Sequence, residues 1–143
     1  MFTSDDDLER IADGIADTTL PKAEWTHAAH FAAALWRLRA GTIDGLPETI
    51  RRYNVATGTP NSDTTGYHET ITRAAVRAAA ATLDAFPADR PLWQVANALM
   101  ASPLGRSDWL LAYWRRERLF SVEARKAWVE PDLQPLPWQG AGG

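Results

Sequence analysis

The chain has 143 residues, which is enough for one domain with a sizeable apolar core. Apolar residues make up 45% of it and charged residues 23%, as is typical of a soluble globular protein. The formal net charge of −3 gives no electrostatic basis for binding nucleic acid, and the absence of cysteine excludes disulfides and thiolate metal sites.

The sequence predicts neither a signal peptide nor a membrane-spanning helix. The N-terminus is acidic and lacks the apolar stretch of a signal peptide. No apolar run approaches the roughly 18 residues that a membrane-spanning helix needs. The sequence therefore predicts a cytoplasmic protein with no membrane partner, and it leaves the oligomeric state open.

Hydrophobic periodicity predicts an all-α protein, a single domain of six or seven helices arranged as a bundle or an orthogonal array. Ser4, followed by three aspartates, begins the first helix, which ends before Pro21. The second helix begins either at Pro21 or after a Thr26 cap, and Gly41 ends it. Its many alanines favour helix and allow a neighbouring helix to pack closely.

Five further helices are predicted. They cover residues 46–56 and 67–86, begin near 89–91, follow a cap at 107–108, and follow a cap at 121. The helix at 67–86 is almost pure alanine in its second half, so we expect it to lie against the Ala-rich second helix. Residues 131–138 are rich in proline and should run extended, anchored by Leu133, Leu136 or Trp138. Residues 139–143 are predicted to be disordered.

All three histidines fall in two short motifs. Residues 24–30 read EWTHAAH, and residues 66–70 read GYHET. Residues three apart in a helix lie about 60° apart around its axis, so His27 and His30 should project from nearly one face. His68 begins another helix, directly after a long polar loop, and such loops are often functional. The three rings can meet only if the starts of the second and fourth helices lie close together.

A first hypothesis makes this trio a metal site. His27, His30 and His68 would bind one divalent ion, zinc or iron-like, and leave positions open for catalysis on a small polar molecule. Glu69 or Glu24 would supply a further ligand or a catalytic base. Histidines near a helix N-terminus are held neutral by the helix dipole, which suits a metal ligand and a hydrogen-bonding group equally well.

A second hypothesis needs no metal. A pocket between the second and fourth helices would bind a small anionic molecule, with histidine and tyrosine as hydrogen-bond donors and an arginine as counter-ion. The candidate ligand-binding residues are Tyr53, Asn54, Tyr67 and Arg118, with Arg125 as an alternative arginine. In a third hypothesis the histidines are structural, and the domain is a scaffold or binds a partner protein.

These motifs, together with RYN at 52–54 and RERLFS at 116–121, resemble those of a family of small uncharacterised bacterial all-helical proteins with WTHxxH and GYHET motifs. The resemblance spans most of the chain, from about Leu20 to Pro137. Because that family has no established activity, the resemblance implies a helical fold and no function.

Overall fold

The computed structural model describes residues 1–138, and that part of the chain is all helical, as the sequence predicts. Its seven α-helices are α1 (Asp5–Ala16), α2 (His27–Ala40), α3 (Leu46–Ala56), α4 (Glu69–Asp84), α5 (Leu92–Ala101), α6 (Arg116–Leu119) and α7 (Val122–Lys126). Short 3-10 turns cover 22–24, 43–45, 103–105 and 109–112. None of these helices is both long and apolar enough to cross a membrane. Residues 139–143, predicted to be disordered, lie outside the described residues.

The start of α2 is fixed by Thr26. Its hydroxyl accepts a hydrogen bond from the backbone N–H of Ala29 at 3.2 Å, which makes His27 the first helical residue. Of the two predicted starts, the later one is therefore correct, and a separate 3-10 turn follows Pro21. Gly41 ends α2 in the left-handed region, with φ at 76°, as the sequence predicts.

The centre of the domain is α2. Five consecutive residues, 31–35, are buried, which requires protein on every side of the helix, and α2 indeed contacts α1, α4 and α5. Small side chains allow the close approach of α4: Ala32 and Ala33 on α2, and Ala74 and Ala78 on α4, are fully buried. The predicted packing of the second helix against the fourth is confirmed.

The predicted sixth helix does not form as one piece. A 3-10 turn at 109–112 is followed by an extended residue, Arg115, and then by the four-residue α6. The reason is competition from the C-terminal tail. The side chain of Asp132 accepts a hydrogen bond from the backbone N–H of Arg115 at 2.8 Å, and Leu133 N–H donates to the Tyr113 carbonyl at 2.9 Å. We call residues 103–120 the wall segment.

Candidate functional site

His68 is a structural cap. Its Nδ1 accepts a hydrogen bond from the backbone N–H of Ile71 at 3.1 Å, and its Nε2 lies 2.7 Å from the Leu119 carbonyl. Because a carbonyl can only accept, the proton of the ring is on Nε2. The side chain is 7% exposed, and burial lowers its pKa below the usual 6.5. Both ring nitrogens are occupied, so neither is free for a metal ion or a ligand.

His27 and His30 border a cavity of about 340 Å³, which we call the histidine cavity. It lies between the first turns of α2, the first half of α4, and the wall segment. The residues that line it are His27, His30, Phe31, Ile71, Ala75, Ser107, Asp108, Trp109, Leu110, Leu111, Arg116, Leu119 and Phe120. The start of α2 therefore does lie beside the start of α4, with a cavity between them instead of a third imidazole.

The two imidazoles are held differently. Nε2 of His27 donates to the Leu104 carbonyl at 2.8 Å, which leaves Nδ1 as an acceptor. The ring of His30 stacks on Trp25, with 3.8 Å between centroids, so its nitrogens lie at the free ring edge. His30 is exposed at the surface, and the protein atoms around its ring still remove part of its hydration. This desolvation, followed by the effect of His27, lowers the pKa of His30 to about 4, so the ring is neutral at pH 7.

The three histidines do not form a metal centre in this geometry. Across residues 1–138, no three His, Cys, Asp or Glu side chains converge closely enough to hold a metal ion. The physical reason is that His68 turns to the Leu119 carbonyl, behind the wall of the cavity. Asp108, which lines the same cavity, does not complete a group with His27 and His30. The predicted zinc or iron-like ion has no support in this arrangement and stays a prediction.

The two predicted catalytic carboxylates lie away from the histidine cavity. Glu24 is exposed and forms an ion pair with Arg10 at 2.9 Å. Glu69 accepts a hydrogen bond from the Tyr67 hydroxyl at 2.7 Å, and it lines a separate cavity of about 260 Å³ on another face of α4. Desolvation, followed by this hydrogen bond, raises the pKa of Tyr67. Neither carboxylate lines the histidine cavity, and their catalytic role stays a prediction.

Tyr53 and Asn54 also have structural partners. The fully buried Tyr53 donates its hydroxyl proton to the Leu20 carbonyl at 2.7 Å, which ties α3 to the α1–α2 connection. The amide nitrogen of Asn54 donates to Oδ1 of Asn61 at 3.1 Å, within the polar loop. Neither residue lines the histidine cavity, and the predicted ligand-binding role of both stays a prediction.

The arginine of the cavity differs from the predicted one. Arg118 donates its Nε proton to the Glu130 carbonyl at 2.8 Å, and Arg125 donates to the Gly66 carbonyl at 2.9 Å. Arg116 instead lines the histidine cavity. Residues two apart on a helix lie about 200° apart around its axis, so Arg116 and Arg118 cannot face the same cavity. The sequence shows a cluster of arginines at 115–118, but it does not show which of them faces the cavity, because that depends on where the helix begins.

We expect the free energy of unfolding to decrease as the pH is lowered from 7.5 to 5.5. Folding lowers the pKa of His30 and His68 below 6.5, so the unfolded chain binds more protons in this range. The stability is fully present above the unfolded pKa and is lost as the pH falls toward the folded values. Urea denaturation at the two pH values measures this decrease, and His30→Gln should reduce it. Equal stability at both pH values would contradict the assignment.

Comparisons with known proteins found no relative of this chain. No protein-family model, curated protein sequence or solved structure matches this chain. The resemblance of the WTHxxH and GYHET motifs to a bacterial family therefore stays a prediction, and the candidate site depends on its geometry alone.

Proposed function

We propose that this protein binds a small anionic molecule in the histidine cavity without the help of a metal ion. The observation that carries the proposal is the joint presence of His27, His30 and Arg116 on one cavity whose other walls are mostly apolar. The volume of about 340 Å³ falls within the roughly 300–1,000 Å³ of known small-molecule sites.

Arg116 supplies the positive charge. Its guanidinium forms no ion pair within residues 1–138, and it lies 5.7 Å from the centre of the Phe120 ring. An unpaired guanidinium can bind a carboxylate or a phosphate through two parallel hydrogen bonds. Asp108, the one acidic residue among the described residues that line the cavity, pairs with Arg106 at 3.3 Å and forms no ion pair with Arg116.

The histidines supply neutral hydrogen-bonding groups. Nδ1 of His27 is an acceptor, and the free edge of the neutral His30 ring offers one donor and one acceptor. Phe31, Ile71 and Leu119 provide apolar surface beside them. The chemistry that fits is a carboxylate on a short apolar body that also carries a hydroxyl or carbonyl group.

The metal-dependent enzyme predicted from the sequence is a separate proposal. It requires a third ligand beside His27 and His30, and a bound substrate is one source of such a ligand. Elemental analysis of protein purified without a nickel column tests it directly. Binding of an anion by the metal-free protein does not depend on the result.

We expect the chain to bind hexanoate more tightly than hexanol, and Arg116→Gln to remove that difference. A hydrogen bond to a charged group contributes about 1.5–3 kcal/mol, so the variant should bind hexanoate at least about tenfold more weakly and hexanol as before. Chemical shifts of backbone amides during titration measure both dissociation constants and locate the site.

The matched control is Arg115→Gln. Arg115 is exposed, adjacent in sequence and identical in charge, but it does not line the cavity. It should leave hexanoate binding unchanged. The proposal fails if both variants weaken binding equally, or if the shifted amides lie away from α2 and the wall segment.

A further inference from the structure

A second, larger cavity of about 870 Å³ adjoins the first. The ends of α4 and α5, the wall segment and Trp138 line it, and we call it the tail cavity because Trp138 belongs to the C-terminal tail. It shares Asp108, Trp109 and Leu111 with the histidine cavity. The two cavities are therefore separated by one stretch of chain, and Trp109 is the largest of the three residues that line both.

Alanines create the space in the tail cavity. Ala81 and Ala85 near the end of α4, and Ala98 on α5, stand at positions where larger side chains would fill it. A volume of about 870 Å³ can hold a molecule of two or more fused rings and still lies within the usual range of ligand sites.

Aromatic rings form much of the remaining wall. The ring of Trp138 lies 5.9 Å from Trp109 and 6.2 Å from Tyr113, both in non-parallel orientations, and Phe86 closes the end beside α4. Rings at such angles present both edges and faces, which favours an aromatic guest over a flexible aliphatic one. Trp138 is only half-buried, so one of its surfaces is open to a bound molecule.

The charge of the tail cavity differs from that of the histidine cavity. Its two ionic residues, Arg106 and Asp108, pair with each other at 3.3 Å. No unpaired charge is left on its wall within the described residues, whereas Arg116 of the histidine cavity forms no ion pair within them. An anion would lose its hydration in the tail cavity without gaining a counter-ion, so the cavity favours a neutral guest.

We propose that the tail cavity is a second binding site, for a neutral and mainly aromatic small molecule. This site does not depend on the anion site, because its two charged residues, Arg106 and Asp108, pair with each other and the rest of its wall is mostly apolar. The protein then carries two adjacent sites of different chemistry, one for an anion and one for an uncharged aromatic compound, with Trp109 between them.

The neutral fluorescent probe N-phenyl-1-naphthylamine tests this proposal in the full-length chain. We expect its fluorescence to increase to saturation at one probe per chain. Ala98→Trp fills the cavity and should weaken probe binding at least about tenfold. Because a large side chain on α5 risks disturbing the fold, Ala85→Trp, at an exposed lining position, serves as a second blocking variant, and far-ultraviolet circular dichroism checks both.

Two control variants make the outcome decisive. Ala56→Trp adds the same side chain at an exposed position away from the cavity, and Arg116→Gln removes the charge of the histidine cavity. Both should leave probe binding unchanged. Unaltered affinity in the two blocking variants overturns the proposal, and so does an equal loss in Arg116→Gln, which would place the probe in the histidine cavity. Hexanoate binding in the blocking variants shows separately whether the anion site is intact.

Discussion

His68→Ala should lower the free energy of unfolding by about 2–4 kcal/mol, although His68 lines none of the three cavities described above. The substitution removes the N-cap of α4, for which losses of about 1 kcal/mol are typical. It also leaves the buried Leu119 carbonyl without the imidazole donor, at a cost of about 1–3 kcal/mol. Urea denaturation at pH 7.5 measures the change.

His27→Ala is the matched control for this prediction. His27 also donates to a carbonyl of the wall segment, that of Leu104, but it is only half-buried and Thr26 caps its helix instead. Its loss should amount to about 1 kcal/mol. His68→Asn should give an intermediate value, because asparagine is a good N-cap but is too short to replace the bond to Leu119. A ligand-binding role for His68 would instead predict that His68→Ala unfolds at nearly the urea concentration of the unmodified chain.

Gly105→Ala should be similarly harmful, by about 2–3 kcal/mol, and should disturb the cavities as well. A Cβ atom at Gly105 would stand 1.9 Å from the Met100 carbonyl oxygen and 2.8 Å from its carbon, both backbone atoms at the end of α5. The 3-10 turn at 103–105 must shift to relieve this overlap. That shift moves Leu104, whose carbonyl binds His27 and whose side chain borders the tail cavity. Thermal unfolding and the hexanoate titration measure the two consequences.

Gly41→Ala separates this steric effect from the general cost of replacing glycine. No atom lies within 4 Å of the position of its Cβ, and only the left-handed φ of 76° opposes the substitution, at about 1–2 kcal/mol. Hexanoate binding should be unchanged in this variant, since Gly41 lies at the far end of α2 from His27. Normal binding by Gly105→Ala would show that the turn does not position the cavity wall.

The features that sequence predicted well are those determined by neighbouring residues. Thr26 and Ser121 both accept hydrogen bonds from backbone N–H groups three residues ahead, and the short polar side chain before a helix is enough to indicate such caps. The bounds of α3 were predicted without error, because a proline at its start and the polar loop after it frame the apolar repeat.

The features that sequence predicted badly depend on residues far along the chain. The role of His68 is decided by the Leu119 carbonyl, 51 residues away, and a backbone acceptor leaves no trace in a sequence motif. The sixth helix breaks because Asp132 captures a backbone N–H 17 residues earlier. Local helix propensity predicts neither of these two hydrogen bonds, because tertiary contacts override it. The pairing of His27 with His30 was readable from their spacing, whereas the identity of their arginine was not.

The wall segment also determines when the two cavities exist. The hydrogen bond of His27 with Leu104 spans 77 residues, and that of His68 with Leu119 spans 51, so the walls come together only in the folded chain. A molecule that binds either cavity therefore binds the native state alone and shifts the unfolding equilibrium by mass action. At a ligand concentration one hundred times its Kd, the gain is about 2.7 kcal/mol. The midpoint temperature of thermal unfolding, measured with each compound of a chemical library, therefore identifies ligands without an activity assay. Repeating the measurement with Arg116→Gln and Ala98→Trp then assigns each ligand to its cavity.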